Sequence, residues 1–196
     1  MFTGIIDHCG FITKMQTIPS GLRLQIRHQF QEPLALGESI AVDGMCVTVT
    51  EMTENSFYCD ISPETLVVTN VKNYSEGLSV NLERSLQLSS RLSGHFVMGH
   101  IDLIARIKKI IRQNDFIQMI FDGLKTDKYL IKKGSIAVNG VSLTINELTD
   151  AGFSVMLIPH TLERTNLKNL RENDTVNLEF DLLARIVAKQ TENLML

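Results

Sequence analysis

The sequence predicts an all-β fold of two tandem small barrels followed by one C-terminal α-helix. Three observations predict it. The chain repeats itself at an offset of 96: SIAVDGMCVTVTEM (Ser39 to Met52) returns as SIAVNGVSLTINEL (Ser135 to Leu148), SPETLVVTN (Ser62 to Asn70) as IPHTLERTN (Ile158 to Asn166), and VNLE (Val80 to Glu83) as VNLE (Val176 to Glu179). Each copy is a run of short alternating strands with tight-turn residues between them, the pattern of a small closed barrel. Only the last stretch, from Leu182 on, has no counterpart in the first copy. The divisions that follow are 1–94, 95–181 and 182–196, with the polar stretch LQLSSRLSGH (Leu86 to His95) as the linker.

The elements follow in order. GLRLQIRH (Gly21 to His28) alternates, with Leu22, Leu24 and Ile26 on one face, as a half-buried strand does. Asp43-Gly44 and Asn139-Gly140 predict equivalent hairpins, since both pairs accept the positive φ of a two-residue turn. SFYCDIS (Ser56 to Ser62) and GFSVMLIP (Gly152 to Pro159) are further strands, and VNLE closes each copy. Ser62 caps a short helix that Pro63 starts, and Pro159 starts its equivalent. LKTDKYLIKKG (Leu124 to Gly134) reads as a helix capped by Thr126 and ended by Gly134. TGII (Thr3 to Ile6) resembles MGHI (Met98 to Ile101), so each copy opens on an apolar strand with a glycine. At the end, Leu182, Leu183, Ile186, Val187 and Leu194 make an apolar stripe at helical spacing, which must pack on its own barrel or on other subunits.

Composition narrows the function. The 196 residues suffice for two domains that bury their own cores. Net charge is −3 with scattered basic residues, and aromatics are 6% with no Trp. That argues against a nucleic-acid surface, which needs a basic footprint or stacking platforms. No apolar run is long enough to span a membrane, and MFTGIIDHCG does not read as a signal peptide. Cys9, Cys46 and Cys59 fit no zinc spacing and read as reduced thiols of a cytoplasmic protein. No phosphate loop, nucleophile elbow or metal motif appears, so an enzyme of this sequence is expected to work without metal or cofactor.

Chemistry-bearing residues recur in both copies. Cys46 and Thr48 are two apart on a strand and share a face, as do Ser142 and Thr144. The hydroxyls of Thr65 and Thr161 lie at helix starts, where capping and the binding of a polyol draw on the same amide donors. His95 and His100 are five apart and share no ligand face; His100 stands where the first copy has Ile5 and suits proton transfer near neutral pH. Asp181, Lys133, Glu51 and Glu147 read as solvated charges.

MFTGII, DGMCVTVTE, GHFVMGHID, NGVSLTINE and PHTLERTN, in this order, resemble riboflavin synthase of the α-chain type over nearly the whole chain. The resemblance implies two Greek-key six-stranded barrels, a homotrimer joined through the terminal helices, and no cofactor. It implies dismutation of two molecules of 6,7-dimethyl-8-ribityllumazine, one bound per barrel, at a site formed by the N-barrel of one subunit and the C-barrel of the next. Lumazine synthase is a further partner it admits. By position, Gly4, Ile5 and Ile6 with Cys46, Val47 and Thr48 would frame the N-barrel pocket. Gly99, His100 and Ile101 with Ser142, Leu143 and Thr144 would frame the C-barrel pocket. Ribityl chains would lie near Ser62, Glu64 and Thr65, and near Ile158, His160 and Thr161. Ser39, Lys133 and Asp181 match further site positions, and Phe2 belongs to the segment that reaches the site. The proton acceptor and nucleophile stay open among His100, Ser142, Cys46 and Thr144, as does which barrel holds donor and which acceptor. The second copy carries PHTL where the family has PETL, so His160 implies a retuned affinity at that end. A non-catalytic lumazine- or flavin-binding protein of the same fold is the alternative.

Overall fold

The computed structural model describes residues 1–124, 128–149 and 151–194. In the first half, β1 (His8–Ile18), β2 (Gly21–Arg27), β3 (Ser39–Val42), β4 (Met45–Thr48), β5 (Glu51–Met52), β6 (Ser56–Ile61) and β7 (Ser79–Arg84) form one antiparallel sheet. α1 (Pro63–Val68) follows β6. In the second half, β8 (Leu103–Gln113), β9 (Phe116–Asp122), β10 (Ser135–Val138), β11 (Val141–Thr149), β12 (Gly152–Leu157) and β13 (Thr175–Phe180) close into a six-stranded barrel. α2 (Pro159–Arg164) follows β12, and α3 (Leu182–Leu194) ends the chain.

The order around the barrel is β10-β11-β12-β9-β8-β13. The second strand of each copy pairs with the fifth and not with the third, which is the Greek-key departure from a meander. The first sheet runs β4-β3-β7-β1-β2-β6-β5, the same order, with β4 and β5 at its two ends. Those ends are consecutive pieces of one strand, parted only by Val49 and Thr50. The Thr50 amide donates to the Tyr58 carbonyl at 2.9 Å across the break. The second copy carries β11 unbroken past the same place, with a register shift between Ile145 and Glu147 and the Asn146 Oδ1 accepting from the Met156 amide.

Each copy has its own apolar core. Ile12, Leu24, Ile26, Ile40, Phe57 and Leu82 fill the first, and Ile107, Phe121, Ile136, Phe153, Val155 and Leu178 the second. Burying each such side chain stabilises the fold by roughly 1.5–3 kcal/mol. Both hairpin turns take the predicted backbone, with φ of 45° at Asp43 and 44° at Asn139 and positive φ at Gly44 and Gly140. The two turns touch each other: a Cβ on Gly44 would lie 2.8 Å from the Gly140 nitrogen, and one on Gly140 would lie 2.7 Å from the Gly44 nitrogen. The copies are thus related by a pseudo-two-fold between these glycines.

One element differs from expectation. Residues Lys128–Gly134 form turns and no helix, and Thr126, the expected cap, lies outside the described residues. Gly134 closes a turn, its amide donating to the Ile131 carbonyl at 2.7 Å. A short segment between two strands of a closed barrel needs only to reverse direction, and turns do that at lower ordering cost than a helix.

Candidate functional site

The strands after the two hairpins carry the recurring polar residues, and alternation fixes what each side chain faces. Met45 and Val47 point into the first core, while Cys46 and Thr48 are exposed on the outer face. Likewise Val141 and Leu143 point into the second core, and Ser142 and Thr144 point outward. Ser39 lies directly opposite Thr48 across β3 and β4, so those two share the outer face with Cys46. The apolar side chains fill the interiors, so these polar residues are presented on the outer faces. Val47 and Leu143, expected to frame pockets, have their side chains in the cores.

The framing segments are exchanged between the copies. The Ser142 amide donates to the Gly4 carbonyl at 2.8 Å, and the Cys46 amide donates to the Gly99 carbonyl at 2.9 Å. Ile6 packs against the second core and Ile101 against the first. The expected grouping of Gly4, Ile5 and Ile6 with Cys46, and of Gly99, His100 and Ile101 with Ser142, is therefore reversed. Gly4 is required here: its φ is +77° and a Cβ would lie 2.6 Å from the Ser142 Cβ. Gly99 repeats this against Cys46 at 2.5 Å with φ +80°. Phe2 is fully buried and bridges to Val97 in a small cluster with Ala41 and Ala137. It anchors the N-terminal segment between the copies and presents no surface to a ligand.

The structure also changes which histidine meets the serine. His95 Nδ1 lies 2.7 Å from Ser142 Oγ, while His100 is exposed. His95 is 7% exposed, and burial lowers its pKa, with the nearby Asp181 charge opposing. The ring is thus neutral at neutral pH, and its Nε2 is buried without a hydrogen-bond partner. A neutral imidazole against a hydroxyl can take that hydroxyl's proton, and the Asp181 carboxylate favours the charged ring that results. Asp181 also starts α3, its Oδ1 accepting from the Leu183 amide at 2.9 Å. In the sequence His95 and Ser142 stand 47 positions apart, so no local pattern pairs them. The available signal was that His95 falls in the linker and has no counterpart in the first copy.

The helix starts differ from one another. Ser62 Oγ accepts from the Thr65 amide at 3.1 Å and lies 3.0 Å from Thr65 Oγ1, so Ser62 caps α1 and the two hydroxyls meet. Ile158 stands in the same place before α2 and supplies no side-chain cap. Glu64, Ile158 and His160 are exposed, and Thr65 and Thr161 half-buried. Among the described residues, no side-chain hydrogen bond joins Ser62, Glu64, Thr65, His160 or Thr161 to β4 or β11. Lys133 is exposed, with a positive φ of 69° and its amide on the Ile145 carbonyl at 2.8 Å. Glu51 and Glu147 are exposed, as expected, and Glu147 meets Lys132 at 2.8 Å.

The glutamates of the VNLE repeats were read only as markers of duplication, and both prove buried. Glu83 accepts from the amides of Thr3 and Gly4, and Glu179 from those of Met98, Gly99 and His100. Burial pushes the Glu179 carboxyl up to about 7 against the pull of those amides. Among the described residues, no group of three or more His, Cys, Asp or Glu is arranged to hold a metal ion. No helix is long and apolar enough to cross a membrane.

Known proteins resemble this chain along its whole length. The lumazine binding domain matches twice, over residues 3–85 and 98–181. A riboflavin synthase of Bacillus subtilis (strain 168) is 40% identical over 98% of this chain and 93% of its own length. One from Schizosaccharomyces pombe is 36% identical, covering 98% of this chain and 94% of the relative. Among solved structures, LumP complexed with 6,7-dimethyl-8-(1'-D-ribityl) lumazine superposes with a TM-score of 0.83 at 26% identity, covering 91% of this chain and 98% of that one.

Proposed function

The chain belongs to the riboflavin synthase family, with two lumazine binding domains, and from that premise we propose how its geometry performs the reaction. The protein is a cofactor-free transferase that dismutates two 6,7-dimethyl-8-ribityllumazine molecules. One gives up a four-carbon unit to the other, yielding riboflavin and 5-amino-6-ribitylaminopyrimidinedione. The observation that carries this is the pairing of full-length likeness to riboflavin synthases with two intact outer faces, Cys46/Thr48 and Ser142/Thr144.

We assign one lumazine to each face. The first is bounded by Ser39, Cys46 and Thr48 with Gly99, His100 and Ile101; the second by Ser142 and Thr144 with Gly4, Ile5 and Ile6. Ribityl chains run toward Ser62, Glu64 and Thr65 in one and toward Ile158, His160 and Thr161 in the other, with Lys133 and Asp181 at the rim of the second. The pseudo-two-fold between Gly44 and Gly140 separates the faces within a chain. Two lumazines then meet when the first barrel of one copy faces the second barrel of another, and a homotrimer in the cytoplasm supplies this arrangement. Fixing both rings in register removes up to ~7–11 kcal/mol of the barrier of a two-substrate encounter.

The ring methyl of one lumazine must lose a proton to give a delocalised anion. Ser142 with His95 is the proton-handling pair: the Ser142 oxygen takes the methyl proton as its own passes to the neutral His95 ring, and Asp181 stabilises the imidazolium. Among the described residues no histidine is hydrogen-bonded to Cys46, and His100 on that face is exposed, so the two faces are chemically unequal.

The test is to mix purified protein with the lumazine and follow flavin absorbance. Riboflavin is expected to accumulate. Bound lumazine without turnover would overturn the enzyme reading in favour of a binding protein such as LumP. His95→Gln is expected to lower kcat by roughly 10²–10⁴ with little change in KM. An unchanged kcat would remove His95 from the chemistry.

A further inference from the structure

Each copy ends in a strand that buries a carboxylate without a cation beside it. Glu83 on β7 is 4% exposed and Glu179 on β13 is 1% exposed. Among the described residues neither forms a salt bridge. A carboxylate in such a place is costly unless strong donors surround it. The donors are main-chain amides, and one threonine hydroxyl, of the segments that precede each barrel. Thr3 N and Thr3 Oγ1 donate to Glu83 Oε1, both at 2.7 Å, and Gly4 N donates to Oε2 at 2.9 Å. Met98 N donates to Glu179 Oε1 at 2.6 Å, and Gly99 N and His100 N donate to Oε2 at 2.8 and 3.1 Å.

These segments do not complete the barrel whose glutamate holds them. Gly4, held by Glu83 of the first copy, docks on Ser142 of the second. Gly99, held by Glu179 of the second copy, docks on Cys46 of the first. Both docking contacts leave no room for a Cβ, so the segments must sit at a fixed depth. An apolar residue would fill either glutamate's position at lower desolvation cost, but it could not receive three donors at once.

We propose that Glu83 and Glu179 are positioning residues that act crosswise, each fixing the main-chain strap that closes the lumazine pocket of the opposite barrel. Glu179 sets Gly99 and His100 against the Cys46 face, and Glu83 sets Gly4 and Ile5 against the Ser142 face. The inference rests on the outer faces being the lumazine sites. It goes beyond that reading by tying each pocket's shape to a carboxylate of the other domain.

The experiment uses the full chain with Glu179→Gln and, separately, Glu83→Gln. Hydrogen exchange is read on the peptides that carry Cys46 and Ser142, and riboflavin is titrated while the amides of Thr48 and Thr144 are followed. Loss of the charge on a three-donor acceptor is expected to speed exchange at the docked amide about tenfold. Glu179→Gln should do so at Cys46 and weaken binding at Thr48 by about the same factor, leaving Ser142 and Thr144 as they were. Glu83→Gln should give the reverse pattern. Equal acceleration at both peptides, or none at either, overturns the proposal. Crosswise exchange without any change in riboflavin affinity overturns the claim on the pockets. If the glutamine variants do not fold, Glu179→Asp and Glu83→Asp, which keep the charge but withdraw it by one methylene, are read in the same way. Failure of the wild-type protein to bind riboflavin or the lumazine would count against the functional reading alone, since the exchange pattern does not depend on ligand.

Discussion

Asp43 shows how one residue can set two things at once. Its φ of 45° belongs to the tight turn, and Asp-Gly was read from the sequence for that reason alone. Its carboxylate is fully buried, taking the Tyr74 hydroxyl and the Asn81 amide at 2.7 Å each and the Asn166 side chain at 2.9 Å. Burial raises its pKa from 3.8 to about 7, against those hydrogen bonds. A group whose folded pKa is raised binds its proton more tightly when folded. Its stabilising contribution is therefore complete below pH 3.8 and is lost as pH rises through about 7. The loss over that window is on the order of a few kcal/mol. Asn139 occupies the equivalent turn with φ 44° and its Oδ1 accepting from the Asn177 amide, so an amide fits this geometry. Asp43→Asn is expected to flatten the pH dependence of thermal stability across that window. A melting profile as steep as the wild type's would show that other groups produce it. None of these partners was legible locally: Tyr74 and Asn166 lie 31 and 123 positions from Asp43.

At the scale of elements, the two copies share a plan and differ in finish. α1 has Ser62 as a working cap, and α2 has Ile158, 48% exposed, in that place. Ile158→Ser is expected to stabilise the second copy by about 0.5–2 kcal/mol, because a free amide gains a side-chain acceptor. Chemical denaturation checks this, and an unchanged midpoint would mean that α2 is already satisfied by packing. The strand after the hairpin is broken at Val49–Thr50 in the first copy and bulged at Asn146 in the second. Alternation and turn residues made those strands legible, since both are local properties. Residues 128–134 of the expected helix form turns because the pattern of a short segment cannot tell a helical turn from a loop that closes a barrel.

At the scale of the molecule, α3 is the element with an unspent apolar surface. Leu183, Ile186 and Val187 are 57%, 48% and 61% exposed, although they form the stripe that the sequence predicted would be buried. Lys128 pairs with Glu192 and Arg185 with Asp102, so two ion pairs tie the helix to its own barrel. Ion pairs at the surface contribute little, and the exposed Leu183, Ile186 and Val187 leave an apolar face that suits contact with other copies. Deleting residues 191–196 is expected to weaken the proposed homotrimer. Sedimentation at low concentration should then show a smaller particle, and an unchanged coefficient would move the subunit contact elsewhere.

By itself the sequence determined the duplication, the alternating strands, the two hairpin turns and the family, because each of these is written in local periodicity or in ordered motifs. It also determined that Cys46 and Thr48 share one face and Ser142 and Thr144 another, which follows from the two-residue period of a strand. Only the tertiary structure decided that the framing segments cross between the copies, that His95 and not His100 meets Ser142, and that Glu83 and Glu179 are buried acceptors. Those are contacts between residues distant in the chain, and in a duplicated protein each copy offers an equivalent partner. Local pattern cannot choose between equivalent partners; close packing of Gly4 on Ser142 and Gly99 on Cys46 does.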